Sequence, residues 1–421
     1  MNTQTLTKTN VASHTGQKSV GARTHSGWWF QLVARSLKHL SHGTLEVRLS
    51  DGTSHLFGTP DDDGLSAIVE VRDPACFRTL VLGGGLGAAE GYIQGQWTSP
   101  NLVDVMRLFA RNMSLFGRLD TGLARLLVSV AKLSHWLSGN TVSQSAKNIS
   151  AHYDLGNEFF ELFLDPTMMY SSGLFGESGQ SMESASEAKL ERICRQLDLK
   201  PDDHVLEIGT GWGGFACYAA RNFGCRVTTT TISQNQFDFA TQRVAKEGLS
   251  NQVTVLLEDY RKLTGQYDKI VSIEMLEAVG HDFLPTYFSK CSSLLRPGGQ
   301  ILVQSITMPD HRYDTYRSSV DFIQKYIFPG GHLPSVAAIQ SAIAKSADLQ
   351  LIDAIQFPES YAKTLRAWRE RFETNLDQIR QLGFDETFIN TWMYYLCYCE
   401  GAFDEHVVSV GQFHWERPRY A

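Results

Sequence analysis

A stretch that could do chemistry opens at Val205, where the chain reads VLEIGTGWGGFACYAARNFGC. Gly209, Gly211 and Gly214 fit the G-x-G-x-x-G spacing, in which small residues let backbone amides approach a nucleotide at a helix N-terminus. Alone, the spacing does not say which nucleotide. A dinucleotide site also needs an acid about twenty positions on, at the end of the second strand, to hold a ribose hydroxyl. That place falls here in TTTTISQNQ, which has no acid before Asp238. The chain offers instead Glu207 just ahead of the glycines, hydroxyl and amide groups at Thr231, Ser233 and Gln236, and the run Glu258-Asp259-Tyr260. These suit a mononucleoside with a free ribose and an adenine edge.

S-adenosylmethionine meets that description, and a sheet must position the groups that would hold it. DHVLEIG, CRVTTTTIS, VTVLLED, YDKIVSIEM and QILVQSI are short β-rich runs with helical stretches between most of them. Such alternation predicts a parallel sheet covered by helices on both faces, a Rossmann-like α/β core. Ahead of it, WWFQLVARSLKHL reads as a helix, and GTLEVRLSDGTSHLFG as a hairpin about an Asp-Gly turn. From Ser335 onward the chain reads as mostly helical, with YAKTLRAWRERFETNLDQIRQLG as one long amphipathic helix. No internal repeat is present.

Between Leu102 and Lys147 the apolar spacing is helical, and Arg107, Arg111, Arg118, Arg125, Lys132 and Lys147 are opposed only by Asp104 and Asp120. A helix of this composition can lie on anionic lipid; equally, it can pack its apolar stripe on a neighbouring domain. The domain reading is therefore a disordered tail over 1–25, a lipid-facing α+β and helical domain over 26–140, and a catalytic domain over 141–421.

Composition narrows the function. The net charge of −7 over 421 residues argues against nucleic-acid binding, which needs a basic face. The seven cysteines lack disulfide-scaffold or metal spacing, so reduced thiols and no metal are expected. No apolar run approaches the eighteen or so residues of a spanning helix. The expectation is a cytoplasmic protein that attaches peripherally to the inner face of a membrane.

Five motifs occur in order: HYDLGNEFFELFLDPTMMYSSGLF at 152–175, LEIGTGWGG at 206–214, TISQNQ at 231–236, SIEMLEAVG at 272–280 and YIFPGGHLPS at 326–335. Together they resemble the cyclopropane fatty acid synthase family, with its mycolic-acid cyclopropane synthase relatives, over roughly residues 80 to 415. The resemblance implies an S-adenosylmethionine-dependent methyltransferase acting on the cis double bond of unsaturated acyl chains in membrane phospholipids, giving cyclopropane fatty acids. By matching position, it puts Tyr170, Ser171, Gly209, Gly211, Gly213, Thr231, Gln236, Tyr260 and Arg261 on the cofactor, beside Glu207 and Asp259.

The chemistry asks for an aromatic and apolar site, because an isolated alkene is a poor nucleophile and leaves a cation after attack. Phe159, Phe163, Met168, Met169, Phe175, Phe328 and Trp368 are candidates for that wall. The resemblance also implies a bound bicarbonate that takes the departing proton. The positions that would hold it are Ser172, Glu277, Gln304, the backbone of Ile306, and Tyr361. Ser172 and Gln304 depart from the family's Cys and His, so the expectation of ring closure competes with a methyl-branched or methylene product. Cys399 matches a family Cys and could be read as a nucleophile, but methyl transfer to an alkene needs no thiolate, which favours a buried structural role. His152 is read as a hydrogen-bonded structural residue. A small-amine N-methyltransferase and a non-catalytic lipid-binding protein are the competing classes, and the reading leaves a homodimer open.

Overall fold

The computed structural model describes residues 26–114, 155–176 and 179–420. The expected disordered tail, His152, Arg118, Arg125, Lys132 and Lys147 lie outside them.

The N-terminal region opens with the helix Ser26–Leu37 and then forms a small sheet of β1 (Gly43–Arg48), β2 (Ser54–Thr59), β3 (Ser66–Val71) and β4 (Trp97–Thr98), in the order β2-β1-β3-β4. β1 and β2 make the expected hairpin, pairing Arg48 with Ser54 across the Asp51-Gly52 turn. The helices Ala75–Ile93 and Leu102–Arg111 complete this unit, and the first of them breaks its helical geometry at Gly84.

The larger sheet carries β5 (His204–Ile208), β6 (Arg226–Thr231), β7 (Val253–Leu257), β8 (Tyr267–Ile273) and β9 (Leu295–Thr307), all mutually parallel, which are the five runs read from the sequence. Val205, Leu206 and Ile208 are almost wholly enclosed, as expected of a strand covered on both faces. The C-terminal part is mostly helical, as expected, and adds two strands. β10 (Gln350–Gln356) and β11 (Ser409–Glu416) join the same sheet antiparallel, in the order β10-β11-β9-β8-β5-β6-β7. In β11 both faces are buried, although Gln412, Phe413, His414 and Trp415 alternate polar and apolar along it. The long amphipathic pattern also divides, at Asn375, into Pro358–Thr374 and Leu376–Gln381.

One apolar core runs from the N-terminal unit into the C-terminal helices. The helix Glu386–Asp404 crosses Leu102–Arg111 so closely that a Cβ at Gly401 would sit 2.7 Å from Met106 Cβ. At the same contact Arg107 and Arg111 donate to the Glu405 carboxylate at 2.8 and 2.7 Å, and Arg111 also reaches Asp61 and Asp63. The expected basic face is therefore internally neutralised at these two arginines. The acids that pair with them come from distant parts of the chain, where a local count of charge does not see them.

Candidate active site

A cavity of about 1120 Å³ opens at the C-terminal ends of the parallel strands. One side is polar. Gly209 and Thr210 donate their backbone N–H groups to the Thr230 carbonyl at 3.0 and 3.1 Å, tying the glycine turn to β6. Gly211 has φ +51°, and a Cβ there would meet no atom within 4 Å, so its bare backbone faces the cavity. Glu207 is buried, accepts a hydrogen bond from Thr229 Oγ1 at 2.6 Å, and has its carboxyl pushed up to about 8 by burial. Thr231 Oγ1 donates to Gln236 Oε1 at 2.8 Å. Past β7, Arg261 grips the Asp259 carboxylate at 2.6 Å, with its guanidinium carbon 5.6 Å from the Tyr260 ring centroid.

The opposite side is apolar and aromatic. Tyr170 packs against Trp368 with its ring tilted by 33° and centroids 5.2 Å apart, and shares a 2.9 Å hydroxyl contact with Tyr395. Phe322, Phe328, Tyr394 and Tyr398 continue the wall, and Leu80, Gly84, Met106 and Phe109 bring the N-terminal unit into it.

Two buried carboxyl groups follow β8. Glu277 Oε1 accepts from Ile306 N at 2.5 Å and Ser305 Oγ at 3.0 Å, while its Oε2 is buried with no partner among the described residues. Its carboxyl is pushed up to about 8, first by burial and then by the neighbouring Glu274. Glu274 accepts from Ser172 N at 2.9 Å and Gln304 Nε2 at 2.8 Å on Oε1, and from Tyr361 O–H at 2.7 Å on Oε2. Burial raises its pKa, against the pull of these donors and of Lys189. Lys189 is itself wholly buried, donates to Ser171 Oγ at 2.7 Å, and is pushed down to about 8 by desolvation.

The comparisons with known proteins agree with this arrangement. The family model of mycolic acid cyclopropane synthetase matches residues 140–413. The chain belongs to that family. It is 37% identical over 401 residues to tuberculostearic acid methyltransferase UfaA1 of Mycobacterium tuberculosis, covering 91% of this chain and 89% of that protein. It is also 37% identical over 362 residues to the cyclopropane-fatty-acyl-phospholipid synthase of Escherichia coli K12, covering 83% and 88%. The structure of mycolic acid cyclopropane synthase CmaA1 complexed with SAH and CTAB superposes with a TM-score of 0.61 at 31% identity, over 64% of this chain and 98% of that one. The protein is an S-adenosylmethionine-dependent methyltransferase of the cyclopropane synthase type.

Within the family frame, the polar side fits its cofactor: the open backbone at Gly211 leaves room for a ligand, and Glu207 is a buried carboxyl that a ribose could engage. Tyr170, Ser171, Gly209, Thr231, Gln236, Asp259, Tyr260 and Arg261 line the same cavity, while Gly213 lies behind it as the N-cap of Gly214–Phe223. Several expected roles change. The Ser172 hydroxyl donates to the Gly173 carbonyl, and only its backbone N–H faces the site. The Ile306 carbonyl shares the Ser305 hydroxyl with Glu277 Oε1, and of Ile306 only the N–H donates to Glu277. Ser172, Gln304 and Tyr361 converge as expected, but on Glu274 rather than on an open anion site. Burial holds Cys399 as a neutral thiol in the cavity wall, which is not the state of a nucleophile.

Of the expected aromatic wall, Met168, Met169 and Phe328 reach the cavity. Phe159, Phe163 and Trp368 sit in the cluster behind it, and Phe175 packs under Lys363. Sequence reasoning missed Glu274, Lys189 and the tyrosines of Glu386–Asp404. A second acid in SIEMLEAVG, and Tyr394, Tyr395 and Tyr398 on one helix, were the available signals.

Proposed function

We propose that the protein adds a methyl-derived carbon to the cis double bond of an unsaturated acyl chain of a membrane phospholipid and closes it to a cyclopropane. The observation that carries this reading is one continuous cavity, polar at the glycine turn and aromatic opposite, with the Glu274 carboxylate on its wall. S-adenosylmethionine supplies an electrophilic methyl group. The polar wall residues named above hold it, and Tyr170, Phe328 and Tyr395 keep the olefin in a dry aromatic setting whose ring faces favour the cation left by methyl addition. Buried carboxyl groups then accept the proton that must leave.

A phosphate-bearing substrate is supported by Arg312. It lines the cavity, donates to the Val407 carbonyl at 3.0 Å, and pairs with no carboxylate among the described residues. No helix among those residues is long and apolar enough to cross a membrane, so the proposed encounter with lipid is peripheral, at the bilayer surface.

A second reading, a methyl-branched or methylene chain without ring closure, is favoured by the match to the tuberculostearic acid methyltransferase over 91% of this chain. The test is incubation of purified protein with unsaturated phosphatidylglycerol vesicles and methyl-labelled S-adenosylmethionine. Mass spectrometry of the lipid should show one added methylene, and proton NMR should show cyclopropane resonances. A product with an unchanged lipid mass would sink the first reading, and olefinic or branched-methyl signals would replace it with the second.

A further inference from the structure

We propose that Glu274 is the general base of the reaction, a carboxylate built into the chain at the place where the resemblance implies a bound bicarbonate; this rests on the olefin-methylating reading above. Three of the positions expected to hold that anion, Ser172, Gln304 and Tyr361, each donate to Glu274, at 2.9, 2.8 and 2.7 Å. A carboxylate and a bicarbonate present the same planar O–C–O to donors, so a set of donors satisfied by one has nothing left for the other. A carboxylate has about four lone-pair sites. Three are occupied here, which leaves one on Oε2 for a proton from the substrate.

The fold goes to some cost to put Glu274 there. Its φ of +49° lies in the left-handed region, a backbone conformation that residues with a side chain seldom adopt. Its N–H is fixed by the Gln304 carbonyl at 2.8 Å. The direction of the Gln304 amide is also determined. Arg192 can only donate, and it donates to Gln412 Oε1 at 2.5 Å. Gln412 must then present its NH₂ to Gln304 Oε1, at 2.9 Å, and Gln304 must turn its own NH₂ to Glu274. This relay holds Gln304 as a donor with no titrating ring, which suits a fixed carboxylate partner.

In the step itself, a C–H electron pair of the newly attached methyl becomes the second C–C bond of the ring and cancels the cation. The proton passes to Glu274 Oε2, making a carboxylic acid that later releases it to water. Loss of a proton to give an olefin uses the same acceptor.

The experiment compares wild type, Glu274→Gln, Glu274→Asp and Glu274→Gly, with and without added bicarbonate in carbon-dioxide-free buffer, reading lipid methylation and S-adenosylmethionine binding. Wild type should be indifferent to bicarbonate. Glu274→Gln should lose about 10²- to 10⁴-fold in kcat, the usual worth of a general base, while still binding the cofactor. Glu274→Asp should fall between them, and Glu274→Gly should recover activity only with bicarbonate. Stimulation of wild type by bicarbonate, or full activity in a folded Glu274→Gln, overturns the proposal. If wild type methylates no lipid, the functional reading fails separately, and ¹³C-bicarbonate binding decides this one: binding to Glu274→Gly alone supports it, and binding to wild type refutes it.

Discussion

The two sides of the cavity are built by opposite means. The cofactor side is made by strand ends and turns close together in sequence, and its contacts are backbone amides, threonines and a few carboxyl groups. The acyl side is assembled from the N-terminal helices, the segment 308–333 that follows β9 and the helix Glu386–Asp404, which meet only in the folded molecule. The first side depends on the absence of side chains at a few points, and the second on the exact fit of large ones. A single added side chain should therefore destroy function on the cofactor side, and should cost only graded amounts on the other.

The largest expected effect is Gly211→Val. Its side chain would project into the cavity from a backbone at φ +51°, which β-branched residues avoid. Calorimetry should detect no S-adenosylmethionine binding to a folded variant, and unchanged affinity would break the comparison. Next is the pH dependence of the ligand-free protein. Burial raises Glu207 from 4.5 to about 8, so between these values the native state keeps a proton that the unfolded chain has released. Stability should fall as pH rises through that window and level off above it, because the native state binds more protons throughout. Glu207→Gln should give a shallower fall in thermal midpoint, with Glu277, also raised to about 8, supplying the remainder.

On the acyl side, Gly401→Val forces a side chain against Met106 and should lower stability by about 2 kcal/mol, read from urea unfolding, without touching cofactor binding. The smallest effect is expected from Arg312→Leu. Loss of one hydrogen-bonded charge should raise KM for phospholipid by roughly tenfold, about 1.4 kcal/mol, and leave kcat near wild type. An equal loss for an uncharged unsaturated ester would separate Arg312 from the phosphate.

This contrast also explains what the sequence made legible. The five parallel strands and the glycine turn follow from short-range patterns, apolar runs and spacing, that are complete within a few residues. β11 was within reach, since QFHWE at 412–416 alternates polar and apolar as a strand does, whereas the break at Asn375 interrupts a pattern that stays amphipathic across it. Glu277 was legible through a motif. Glu274, three residues earlier in the same motif, was not, because its role depends on donors from 172, 304 and 361 that no spacing connects. The ion pairs of Arg107 and Arg111 with Glu405 were hidden for the same reason.

The position of β11 sets an order on assembly. It lies between β9 and β10, and its Gln412 is a member of the relay that turns Gln304 toward Glu274. During synthesis the cofactor turn after β5 can form long before β11 has left the ribosome, since those strands are far apart in the chain, and non-local pairing of this kind is slow. The glycine turn is thus made before the strand that orients Gln304, because the relay needs Gln412, which follows every parallel strand of the sheet in the chain.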